Sequence, residues 1–174
     1  MLYAHWEGLI ERLAESYLEF VRIQRLKNCE LSGCMPALVV RSKFRDMEGT
    51  NKLKAHIDQL KFLRSAMEDR PKLPYRKSIR TESNLTSTVF AEILSTLGLS
   101  DVAFAGKFHL LDHSLLAKRN SIAHGQSLDI DVDEYLMLHA EVTGLCSLFR
   151  NELENVSVSR LFQQPSQNEA GPIG

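Results

Sequence analysis

The chain contains no hydrophobic run approaching the roughly 18 to 20 residues needed to cross a bilayer, which excludes a membrane-spanning helix. Its N-terminus, MLYAHWEGLIER, lacks a basic region followed by a short apolar run and a small-residue cleavage site. No secretory signal is read there, and residence in the cytoplasm is the expectation. Cysteine is scarce: Cys29, Cys34 and Cys146 are three in 174 residues, an odd number that excludes a closed disulfide framework and suits free thiols in a reducing compartment. Cys29 and Cys34 have no CxxC partner pattern, so no zinc site and no cofactor is expected. Strand-like runs are nearly absent apart from LVV at 38–40, and there is no internal repeat.

What is present fits one globular domain. Hydrophobic residues make up 44% and charged residues 25%, and the length is enough to bury a core without disulfide or metal staples. The formal net charge of -1 hides an asymmetry. Residues 41–80 carry 12 Lys plus Arg against 5 Asp plus Glu, whereas residues 81–174 carry 5 against 12. A basic block of that kind can attract a polyanion or can simply be a solvated face.

Apolar residues recur at helical spacing throughout, which predicts an all-α bundle of four or five helices. The first covers residues 2–27, with Trp6, Leu9, Leu13, Tyr17 and Phe20 on one face. Gly8 within it suggests a close approach by another helix. Ser32, Gly33 and Pro36 interrupt, and a short helix can start at Pro36. The second main helix covers residues 50–67, with Thr50 as N-cap and an inward stripe of Leu53, Ile57, Leu60 and Leu63. DRPKLPYRKS then forms a basic loop. The third starts after Asn84, turns Leu85, Val89, Ile93 and Leu97 inward and ends at Gly98. The fourth covers residues 102–124, buries Phe104, Phe108, Leu111, Leu115 and Ile122, and stops at Gly125. The fifth starts at Asp131, where Glu134 has capping-box spacing, and buries Leu138, Val142, Leu145, Phe149 and Leu153.

The fourth helix ends in RNSIAHG, residues 119–125. At 100° per residue its apolar face centres on Leu115 and Ile122, Arg119 lies at the margin, and Asn120 and His124 lie outside. About 7 Å of helical rise separates Arg119 from His124, so both can reach one small anion. Arg119 offers a charged fork suited to phosphate, and His124 offers an imidazole that can give or take a proton. With 6 His in the chain and three tolerated spacings, about one Arg–His pairing of this kind is expected by chance. Context therefore carries the weight: an Asn follows the Arg, a Gly follows the His, a strong helix leads in and another leads out.

With YAHWEG at 3–8, ESNLTSTVFAEILSTLGL at 82–99 and LLDHSLLAKRNSIAHG at 110–125, the chain resembles the HEPN superfamily, all-helical prokaryotic domains of toxin-like and phage-defence contexts. Nuclease members carry an Arg, a polar residue and, after a short gap at a helix end, a His. The resemblance implies a HEPN-like domain over residues 1–155; the remaining 156–174, rich in Gln, Ser, Pro and Gly, are read from composition as a flexible tail. It implies metal-independent RNA cleavage, in which a ribose 2′-hydroxyl attacks the adjacent phosphate and leaves a 2′,3′-cyclic phosphate. Arg119 would bind the phosphate, His124 would transfer a proton, and Asn120 would position one or both. Such chemistry needs a base and an acid, yet each chain offers one motif His, so a homodimer with a composite cleft is expected. RNA and an antitoxin or defence-system protein are the partners implied. The position two residues after the motif His, where some members carry a modifiable Tyr, is Gln126 here.

Plainer readings stand beside these. His109 and His113 are i,i+4 neighbours next to Asp112, but no HExxH pattern accompanies them and they are read as surface residues, as are His56 and His139. Trp6 is read as core, although with His5 it could stack on a base. Lys118 can touch substrate phosphate or balance the helix C-terminus. The alternative to a nuclease is a silent HEPN module that binds RNA or nucleotide and signals to a partner protein; a third is a helical assembly protein.

Overall fold

The computed structural model describes residues 1–45, 52–75, 79–81, 84–125 and 131–165. Among them are six α-helices and no strand, only an isolated bridge between Leu31 and Gln163. The helices are α1 (Leu2–Ile23), α2 (Cys34–Arg45), α3 (Leu53–Ala66), α4 (Ser87–Leu97), α5 (Ala117–Ala123) and α6 (Val132–Val158). The all-α expectation holds. No helix among the described residues is long and apolar enough to cross a membrane.

The core forms where α1 packs along α6 and α2 packs against α4. From α1 the buried residues are Tyr3, Trp6, Ile10, Ala14, Tyr17, Leu18 and Val21; Leu9, Leu13 and Phe20 are only partly covered. The apolar stripe is therefore centred about one position away from the predicted one. Gly8 is not a close approach, since a Cβ added there would meet nothing within 4 Å. Phe90 of α4 sits at the centre, its ring edge-on to Trp6 and to Phe104 at 5.2 Å each and tilted against Phe149 at 5.8 Å. Helix α4 is the element most nearly as predicted. Thr86 accepts a hydrogen bond from the Val89 amide, a side-chain N-cap, and Gly98 ends the helix at φ +75, a left-handed conformation natural to glycine.

Three expectations need correction. The stripe on α3 does not face inward: Leu53 is 72% exposed, Ile57 and Leu60 are exposed too, and only Ala66 is buried. This helix joins the body through its C-terminal end, where Asn28 Nδ2 donates to the Ala66 carbonyl at 2.7 Å and the Cys29 amide to the Met67 carbonyl at 2.9 Å. Periodicity shows that a face is apolar, not that the same chain covers it. Thr50, the expected cap, lies outside the described residues. The capping box at Asp131 also fails: Asp131 makes no side-chain cap bond, and Glu134 instead pairs with Lys118. Finally, the chain does not leave the fold at residue 155. Helix α6 runs on to Val158, Val156 is buried, and Phe162 is 1% exposed with its ring edge-on to Phe20. The Ser32 amide donates to the Phe162 carbonyl and the Gln164 amide to that of Glu30, fastening this turn to the segment before α2.

Candidate functional site

The expected fourth helix is one helical stretch with three geometries. A 3₁₀ turn at Ala105–Lys107 leads into a π-helical segment, Leu110–Leu116, which passes into α5. Leu111, Leu115 and Leu116 are buried there. Wide turns of this kind are rare and often mark functional sites. Asp112 within it accepts from the amide and the hydroxyl of Ser87, at 2.8 and 2.5 Å. That carboxylate satisfies free donors in the first turn of α4, and it ties the approach to the motif to the start of α4. His109 and His113 stack at 4.5 Å between ring centroids. With Asp112 engaged by Ser87, no group of three or more His, Cys, Asp or Glu among the described residues is placed to hold a metal.

Helix α5 carries the motif. Arg119 is half-buried, and its Nη1 donates to Asn120 Oδ1 at 2.8 Å. Its guanidinium carbon lies 5.4 Å from the centre of the Tyr3 ring, within cation–π range. The Tyr3 hydroxyl in turn accepts from the Leu85 amide at 2.6 Å and donates to Glu7 at 3.4 Å. Burial pushes the Tyr3 phenol above its ordinary range, against the lowering effect of the Leu85 amide. It therefore stays neutral at physiological pH, a fixed dipolar platform under the guanidinium. His124 is the C-cap; its amide donates to the Asn120 carbonyl at 3.0 Å. Gly125 follows at φ +71 and turns the chain away from the helix, leaving His124 exposed.

An open groove of about 340 Å³ runs along α5, lined by Tyr3, Glu7, Lys118, Arg119, Ile122 and Tyr135 among others. Ile122 was expected in the core but is 60% exposed. It does share a face with Leu115, as the wheel placed it, but that face continues past the edge of the core into the groove. Lys118 also lines the groove, already paired with Glu134 of α6. Asn120 and His124 are not among the lining residues. The structure thus brings Arg119 and Asn120 into direct contact and places His124 in the open at the end of the same helix. Nothing in the motif points to Tyr3. Its one sequence signal is that it stands three residues before Trp6, on the same buried stripe.

Beside the groove, the first turns of α6 carry an apolar surface that no described residue covers: Val132, Tyr135, Leu136 and Met137 are all exposed. The first turns are held to the motif helix by Lys118–Glu134, and farther along α6 Glu141 pairs with Lys107 of the 3₁₀ turn. Exposed apolar residues clustered like this, next to polar neighbours, mark an interaction surface.

A family model described as RiboL-PSP-HEPN matches residues 1–155. No match to the chain was found among curated proteins or among solved structures.

Proposed function

The chain belongs to the RiboL-PSP-HEPN family, and from that premise we propose that it is a metal-independent endoribonuclease acting as a toxin or phage-defence effector. The observation that carries the reading is the held guanidinium. Arg119, fixed by Asn120 and by the Tyr3 ring at the edge of an open groove, has an exposed His124 one turn further along its helix. Fixed donors aimed at a phosphate stabilise the charge that develops as its oxygens become crowded in the transition state.

In the proposed reaction the ribose 2′-hydroxyl loses its proton and attacks the neighbouring phosphorus. A 2′,3′-cyclic phosphate forms, the bond to the 5′-oxygen breaks, and that oxygen takes up a proton. Arg119 binds the phosphate and Asn120 positions the guanidinium. His124 transfers protons, and since one imidazole cannot be base and acid at once, two chains supply one each. The exposed apolar turns of α6 beside the groove are the surface through which we propose the chains pair. An antitoxin or other partner protein would act by covering the same cleft.

Leu136 is exposed, so a charge there does not disturb the core. Leu136→Asp is expected to convert a dimer into a folded monomer by sedimentation and to reduce RNA cleavage at least tenfold at the same chain concentration. A variant that stays dimeric and cleaves normally would rule out this face as the pairing surface.

A further inference from the structure

Three arginines of the basic 41–80 block converge on a second cavity. Arg41 and Arg45 stand one turn apart on α2, facing Thr88, Glu92 and Thr96, which stand at successive turns of α4, and Arg80 lines the same space of about 460 Å³. Its floor includes Ile79 and Ile93, both buried. Glu92 is the single carboxylate among the described lining residues and pairs with Arg41 at 3.5 Å. Arg45 and Arg80 make no ion pair among the described residues, so the cavity keeps a positive charge.

Like charges gathered around one hollow repel one another, and an anion placed between them relieves that repulsion. Guanidinium forks match phosphate oxygens in pairs, and the Thr88 and Thr96 hydroxyls add neutral donors from the opposite wall. Arg41 and Arg45 are separated by about 6 Å of helical rise, which spreads the positive charge along the cavity rather than at one point. That shape suits a row of phosphates better than a lone carboxylate. The cavity is also close in sequence to the Arg119 platform: Leu85 donates to Tyr3 beneath Arg119, and Thr88, three residues on, lines the cavity.

We propose that the cavity between α2 and α4 binds consecutive phosphates, those of a single-stranded RNA backbone held away from the point of cleavage. The site does not require the chain to be a nuclease. Free polyphosphate shares the chemistry, and the test separates the two sources. Binding of a short 2′-O-methyl oligoribonucleotide, which offers no 2′-hydroxyl for attack, is measured by anisotropy across a salt series for the wild type and for Arg45→Gln/Arg80→Gln. The double variant is expected to bind about tenfold more weakly, with the slope of log K against log salt shallower by about 1.4, two single-strand phosphate contacts. Lys54→Gln/Lys61→Gln removes the same charge from exposed positions on α3 and is expected to leave both quantities unchanged. If the oligonucleotide ignores Arg45→Gln/Arg80→Gln while inorganic tripolyphosphate binds the wild type and not the variant, the cavity takes a free polyphosphate and the RNA assignment is overturned. Equal binding of both probes to wild type and variant removes the site altogether. Loss of oligonucleotide binding in a protein that never cuts RNA would leave this site standing and dismiss only the nuclease reading.

Discussion

His124→Ala is expected to reduce RNA cleavage by about 10²- to 10⁴-fold, the range a positioned general acid or base contributes, while leaving the thermal midpoint where it is. The imidazole is exposed at the end of α5, and the cap contact at this position comes from its backbone amide to the Asn120 carbonyl. Removing the side chain therefore removes chemistry and almost no packing. Expression of the wild type in a bacterial host is expected to arrest growth, and His124→Ala to relieve the arrest. Equal cleavage by both proteins would return RNSIAHG to the status of a polar helix end. RNA that is bound and never cut, with binding lost on charge reversal at Arg119, would favour a silent binding module.

Phe90→Ala is expected to have the largest effect on stability, about 3–5 kcal/mol for a fully buried Phe whose space cannot be refilled. At roughly 2–4 °C per kcal/mol for a chain of this size, the thermal midpoint falls by about 6–20 °C. Phe90 is completely buried and touches Trp6, Phe104 and Phe149, rings contributed by α1, the turn after α4, and α6. Its loss opens a cavity at the meeting point of all three. Phe90→Leu keeps most of the volume and is expected to cost less than half as much. Calorimetry of the two variants checks the order; similar midpoints for both, close to that of the wild type, would mean the rings pack independently.

The parts legible in the sequence were those fixed by local chemistry. The start of α4 after Asn84, Gly98 and Gly125 as helix stops, and the inward spacing of Val142, Leu145, Phe149 and Leu153 each follow from the neighbouring residues, and the structure shows them so. What escaped depends on partners distant in the chain. Leu53, Ile57 and Ile122 are apolar at helical spacing, yet no described residue covers them. Phe162 lies within Ser- and Gln-containing sequence that reads as a tail, and is buried because Ser32 and Glu30 bind the backbone around it. The π-helical turn at Leu110–Leu116 gives no sign in a pattern read at 100° per residue. At the candidate site, adjacency in sequence announced the Arg119–Asn120 pair, whereas Tyr3 reaches Arg119 from the other end of the domain. Glu134, assigned locally to a cap, is drawn instead to Lys118 across the helix pair.

The claim on which the functional account rests is that a guanidinium and an imidazole suffice to cut RNA without a metal. The direct measurement is the end chemistry of RNA incubated with the purified protein in excess EDTA, read by cyclic-phosphate-dependent ligation before and after acid opening of the ring. Fragments ending in 2′,3′-cyclic phosphate and 5′-hydroxyl, formed by the wild type and missing with His124→Ala, are the predicted result. Cleavage that stops in EDTA, or that leaves 3′-hydroxyl and 5′-phosphate ends, would contradict it.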